Sequence, residues 1–162
     1  IVTRDRYQLM IVRQADMKHD GDDIIDGAWD FVRRAGNPYW IPQSRETFEM
    51  HLLKLLENPA LDIIVAEHDG RIVAGIGICH VPFLWNPDLD AVEELFWWAS
   101  ADAPPHAAIA VLRHAIEKAR ETAAPREVLF TMRSMDTSPA NVGQVYARMG
   151  LIHTEVSHMG VI

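Results

Sequence analysis

The stretch Ala91 to Arg120, AVEELFWWASADAPPHAAIAVLRHAIEKAR, constrains this chain more than any other. Glu94 to Trp98 is bulky on both alternating faces, the pattern of a central strand covered on both sides. A short loop follows, and then Ala108, Leu112, Ala115, Ile116 and Ala119 recur at helical spacing. A loop of this kind aims the N–H groups of a helix start at whatever lies before it, so the stretch reads as an anion site for a phosphate-bearing ligand. Pro104, Pro105 and His106 stand where a phosphate-cradling loop is ordinarily rich in glycine.

Composition limits what such a site can serve. At 162 residues and 49% hydrophobic, with no internal repeat and no linker, residues 1–162 read as a single domain with a substantial core. A formal charge of −8 disfavours nucleic acid or an anionic membrane as the partner and favours a small ligand. Cys79 is the single cysteine, which excludes an internal disulfide and a cysteine metal cluster. No run reaches membrane-spanning length, and IVTRDRYQLM lacks the plan of a signal peptide, so a soluble, cytoplasmic protein is expected.

The remaining elements alternate. Gln8 to Arg13 suits an opening strand, and Asp20, Asp22 and Asp23 start a helix with Ile25, Ala28, Trp29 and Val32 on one face. Ser44 is placed to cap a second helix striped by Phe48, Leu52, Leu55 and Leu56, which Asn58-Pro59 closes. Asp69-Gly70 divides two β-branched runs, the signature of a two-residue hairpin turn. Pro82 and the WNPDLD loop precede the Glu94 strand, and Ala124-Pro125 stops the helix after it. Glu127 to Met132 is another strand. Val142, Val145, Tyr146 and Met149 stripe a last helix capped by Gly150, and Leu151 to Ile162 has the β-formers to end the sheet.

This order resembles the GNAT N-acetyltransferase superfamily, and ANVGQVYARMGLIHTEV is its best local match. The family segment runs Asn-x-x-Ala-x-x-x-Tyr-x-x-x-Gly-Phe. Tyr146, Gly150 and Leu151 keep its Tyr-to-Gly-to-apolar spacing, whereas Asn141 lies two residues closer to Tyr146 than the pattern has it. The resemblance implies an α+β (α/β) three-layer fold, with a mixed, mostly antiparallel, splayed sheet and helices on both faces. It also implies acyl transfer from acetyl-CoA.

The family's coenzyme loop, Gln/Arg-x-x-Gly-x-Gly/Ala, aligns its three defined positions with Ala103, His106 and Ala108, of which Ala108 alone fits. Pro104 and Pro105 carry no N–H, and Asp102, read as the N-cap, would set a carboxylate against a bound phosphate. The amides of His106, Ala107 and Ala108 remain as donors. The resemblance further implies that Trp98 pairs its backbone with the pantetheine arm of the coenzyme, that Ser100 continues that contact and that Asn141 belongs to the cofactor-binding residues.

Amine acylation by direct attack needs a positioned thioester, a base for the amine and an acid for the departing thiolate. Tyr146 matches the family tyrosine that protonates the sulfur, although it also belongs to the apolar stripe of its helix. Alternation sends Glu93 and Glu94 to opposite faces, and Glu94 is taken as the base because it is expected to share a face with Phe96 and Trp98. Ile24 to Trp40 and the Pro82 to Asp90 loop are expected to wall the acceptor, a small-molecule or peptide amine.

Other chemistries lack support in the sequence. The histidines show no ligand spacing and no metal is expected, Trp97-Trp98 fits core packing better than base stacking, and no Ser has nucleophile-elbow neighbours. An alternative, resting on the Ala-Pro-Pro-His loop, is a catalytically inactive binding or assembly module. A homodimer paired through the final strand is a further expectation.

Overall fold

The computed structural model describes residues 10–35, 44–132 and 139–152. β1 (Ile11–Gln14) leads into α1 (Met17–Ala35) and α2 (Arg45–Leu56). β2 (Leu61–His68) and β3 (Arg71–Pro82) form the hairpin, followed by β4 (Asp90–Ala99), α3 (Ala107–Ala123), β5 (Val128–Thr131) and α4 (Pro139–Arg148). The expected terminal strand, and with it the pairing proposed for a dimer, falls mainly on residues 153–162, outside the described residues.

Local chemistry explains most boundaries. α1 begins before the expected aspartates because Asp16 starts it: its carboxylate accepts from Lys18 N, while Asp20 reaches back to Asp16 N at 2.7 Å. Ser44 caps α2 as expected, accepting from Thr47 N at 3.1 Å. Asp69 and Gly70 both have positive φ, 54° and 75°, as a tight hairpin turn requires. Gly150 (φ 83°) ends the α4 segment, and Leu151 N returns to the Tyr146 carbonyl at 3.0 Å.

The sheet runs β1-β2-β3-β4-β5. All neighbours are antiparallel except β4 and β5, which are parallel. Each face carries its own core. Ile64, Ile76, Ile78 and Val92 pack under Val111, Leu112 and Ala115 of α3, with Val145 of α4 and Met149 just past its end beside them. On the other face Ile24, Ile25 and Ala28 of α1 and Leu52 of α2 meet Ile63, Val65, Ile72 and Trp98. The result is three layers with helices on both faces.

One polar tie anchors the α1 start to the sheet edge. Arg13 forks onto Asp20 at 2.6 and 2.9 Å and reaches Glu67 at 2.8 Å. The hydrogen bonds from Arg13 hold the Asp20 carboxyl below the usual carboxylate range, against the opposing effect of its burial.

Candidate active site

The parallel pairing of β4 with β5 stops at Glu93 opposite Thr131, yet β4 runs on to Ala99. β5 ends at Thr131, so beyond Glu93 the β5-side edge of β4 has no strand partner among the described residues. An open edge of this kind exposes backbone donors and acceptors to a ligand that can run alongside as an extra strand.

A bulge decides which residues face where. Phe96 pairs with Gly77 but Glu94 pairs with Ile78, so Leu95 is the extra residue and the alternation reverses across it. Opposed residues share a face. Glu94 therefore lies on the α3 side with Ile78, and Trp97, opposite Ile76, lies on the same side. Glu93 pairs with Cys79 and shares the α1 side with Phe96 and Trp98. The expected grouping of Glu94 with Phe96 and Trp98 is thus corrected to Glu93, and Glu94 is buried, 7% exposed, on the opposite face.

The same register corrects the expectation for Trp98. Ser100 N donates to the Val73 carbonyl at 2.9 Å, and bonded and non-bonded pairs alternate along an antiparallel ladder. Trp98 therefore spends its backbone groups on Gly75, and Trp97 and Ala99 turn theirs toward the open edge. The indole of Trp98 is 2% exposed and fits between two glycines: a Cβ on Gly75 would lie 3.0 Å from its Nε1, and a Cβ on Gly27 of α1 would lie 2.6 Å from its Cζ2. Trp98 holds α1 to the sheet. Ser100 commits its hydroxyl as well as its amide to Val73, at 2.8 Å, so it has no hydroxyl hydrogen to offer a ligand.

Trp97, read from sequence as core, organises the other wall. Its Nε1 donates to the Ala108 carbonyl at 3.0 Å, docking the first turn of α3 on β4. Its ring meets Tyr146 of α4 with centroids 6.0 Å apart. Tyr146 is half-buried and its hydroxyl is shielded from solvent, so Trp97 of β4 links the start of α3 to the Tyr146 ring of α4. Asn141 belongs to α4, and its side chain lies outside the described residues.

The loop before α3 differs from expectation in two ways. The N-cap is His106, without a side-chain capping bond, and Asp102 lies in the preceding turn with its carboxylate 4.0 Å from Arg71. Asp102 thus does not cap α3. Ala107 N donates to the Pro104 carbonyl at 2.9 Å and is spent, while Ala108 N and Ile109 N have no backbone acceptor among the described residues. The His106 N–H likewise has no backbone acceptor among the described residues, so the expected His106 and Ala108 amides, with Ile109, remain at a positive helix end for an anion.

No protein-family profile matches the sequence, and no curated protein matches it significantly. Solved structures do. A GCN5-related N-acetyltransferase from Ralstonia eutropha JMP134 superposes with a TM-score of 0.73 at 18% identity, over 94% of this chain and 99% of its own. A predicted acetyltransferase from Clostridium acetobutylicum, crystallised with acetyl-CoA, gives 0.66 at 17% identity, over 94% and 96%. A ribosomal-protein-alanine N-acetyltransferase from Brucella melitensis biovar Abortus 2308 gives 0.66 at 14% identity, over 95% and 99%. A mixed, mostly antiparallel five-stranded sheet, the helical layers on its two faces and near full-length superposition agree: this chain has the fold of the GNAT acetyltransferases.

Proposed function

We propose that the chain is an N-acetyltransferase that moves the acetyl group of acetyl-CoA to a primary amine by direct attack. The observation that carries this reading is the open edge of β4 beyond Glu93, with the backbone of Trp97 turned into it and Tyr146 against the Trp97 ring. The pantetheine arm of the coenzyme contains amides and fits such an edge as a short strand does, pairing with the Trp97 N–H and C=O.

In this reading the acceptor approaches from the α1 side. Its nitrogen attacks the thioester carbonyl, and Glu93, on that side, takes the proton the amine loses. The tetrahedral adduct then collapses by breaking its C–S bond, and the thiolate receives a proton from Tyr146 on the α3 side. Glu94, behind the bulge on the Tyr146 side, is a buried neighbour of the coenzyme wall. The Ala108 and Ile109 amides at the α3 start receive the pyrophosphate.

A calorimetric titration with acetyl-CoA tests the reading, followed by an assay of thiol release over a panel of small-molecule and peptide amines. Micromolar affinity and amine-dependent thiol release support it. One observation favours the second reading, a binding module without catalysis: Pro104, Pro105 and the spent amide of Ala107 leave the loop few donors for phosphate. Absence of binding at millimolar acetyl-CoA and longer acyl-CoAs would favour that module.

A further inference from the structure

The loop that should meet the phosphates is poor in donors, and the chain as a whole carries a charge of −8. Coenzyme A brings several negative charges to the end of the cleft, so a cation fixed there would matter more than in a glycine-rich site. Arg34, near the end of α1, occupies that position. Its Nη2 donates to the Ala99 carbonyl at 2.7 Å, a contact spanning 65 residues of sequence, and its Nε donates to Asp30 at 2.7 Å. Ala99 is the last residue of β4, with its backbone turned to the open edge, and Ser100 begins the loop to α3.

Both anchors orient the guanidinium and leave most of it available. Of its five N–H groups, the two on Nη1 and the second on Nη2 have no acceptor among the described residues. The side chain is 43% exposed and Asp30 is 56% exposed, so this ion pair is a solvated one that orients the fork without cancelling its charge. A planar fork of this kind suits a phosphate oxygen pair. Arg71, the other arginine beside the loop, is 72% exposed and already faces Asp102.

We propose that Arg34 is an anion-binding residue at the mouth of the cleft, replacing from α1 the phosphate contacts that the Pro104-Pro105 loop lacks. The inference rests on the acyl-CoA reading and adds a binding residue on an element outside the coenzyme loop. By occupying the Ala99 carbonyl, Arg34 also confines pantetheine pairing to the Trp97 backbone and the Ala99 N–H.

The test compares wild type, R34Q and R34K by calorimetric titration with acetyl-CoA and with acetyl-pantetheine, which lacks the phosphates. R34Q should bind acetyl-CoA about tenfold more weakly, the size of one lost charge-assisted contact, and acetyl-pantetheine unchanged. R34K should recover part of the acetyl-CoA loss. Equal acetyl-CoA affinity in R34Q and wild type overturns the inference while leaving the acyl-CoA reading intact. An equal loss for both donors, or an R34Q protein that does not fold, makes Arg34 a strap between α1 and β4 and overturns it as well. A wild type that binds no acyl-CoA overturns the functional reading and this inference together.

Discussion

Replacing Gly27 with alanine puts the packing that aligns the open edge to a quantitative test. In an isolated helix the change is favourable by about 1 kcal/mol, because glycine loses more backbone freedom on folding than alanine. Here the added methyl carbon would lie 2.6 Å from Trp98 Cζ2 and nearer still to Cη2 and Cζ3, whereas carbon atoms rest about 3.5–4.0 Å apart. The overlap demands a shift of about 1 Å or more. Trp98 cannot retreat, since Gly75 backs it so closely that a Cβ there would be 3.0 Å from Nε1. The displacement therefore falls on α1, which carries Ile24, Ile25 and Ala28 into the core and holds Ile72 N through Asp23 at 3.0 Å. Overpacking of this kind costs about 3 kcal/mol at the upper end of its usual range, so the net destabilisation is about 2 kcal/mol. For a chain of this length the melting temperature should fall by about 4–8 °C. Urea unfolding of wild type and Gly27→Ala, followed by tryptophan fluorescence, measures it. In a Trp98→Leu background the same alanine should cost nothing, because the clash has gone. A Gly27→Ala protein as stable as wild type or more stable would refute the tight seating of α1 on Trp98.

The remaining predictions concern the site and the sheet edge. Tyr146→Phe keeps the ring against Trp97 and should lower turnover about 100-fold with the KM for acetyl-CoA unchanged; full turnover would remove the acid role. Glu93→Gln should lower kcat/KM for the amine about 100-fold while Glu94→Gln retains most activity, and the reverse result would return the base to Glu94. Trp97→Phe keeps the ring contact but loses the bond to the Ala108 carbonyl, and should raise the KM for acetyl-CoA about fivefold, read in steady-state kinetics. Asp20→Asn should cost about 1–2 kcal/mol at neutral pH, a figure reduced for the 33% exposure of Arg13. Because the folded Asp20 carboxyl is held below its unfolded value, its contribution is full above about pH 4 and lost as pH falls through the folded pKa. Urea unfolding of the two proteins should accordingly converge toward acid pH.

Much of the fold is legible because its signals are local. Asp69-Gly70 specifies its turn through backbone conformation alone, Ser44 caps the helix it precedes, and Gly150 ends the last one. The three-layer arrangement follows from strands that bury both faces and helices that bury one. The site was harder to read because it depends on register. Simple alternation put Glu94 with Phe96 and Trp98, and a single extra residue at Leu95 reverses that assignment; nothing in ELFWW marks the bulge, although Gly77, opposite Phe96, gives room for its ring. The same phase places the backbone of Trp97, rather than Trp98, on the open edge. Asp102 resembles an N-cap in composition, but the turn through Pro104 moves the helix start to His106. Arg34 left no signal, since its contact with Ala99 crosses 65 residues and exists only after folding.

Amide hydrogen exchange at Trp97, with and without saturating acetyl-CoA, tests the central claim most directly, because that N–H points into the open edge and has no partner among the described residues. The account predicts rapid exchange in the free protein and marked protection in the complex, with Trp98, already paired to Gly75, protected in both. Acetyl-CoA that binds without slowing the Trp97 amide, or that does not bind at millimolar concentration, would contradict it.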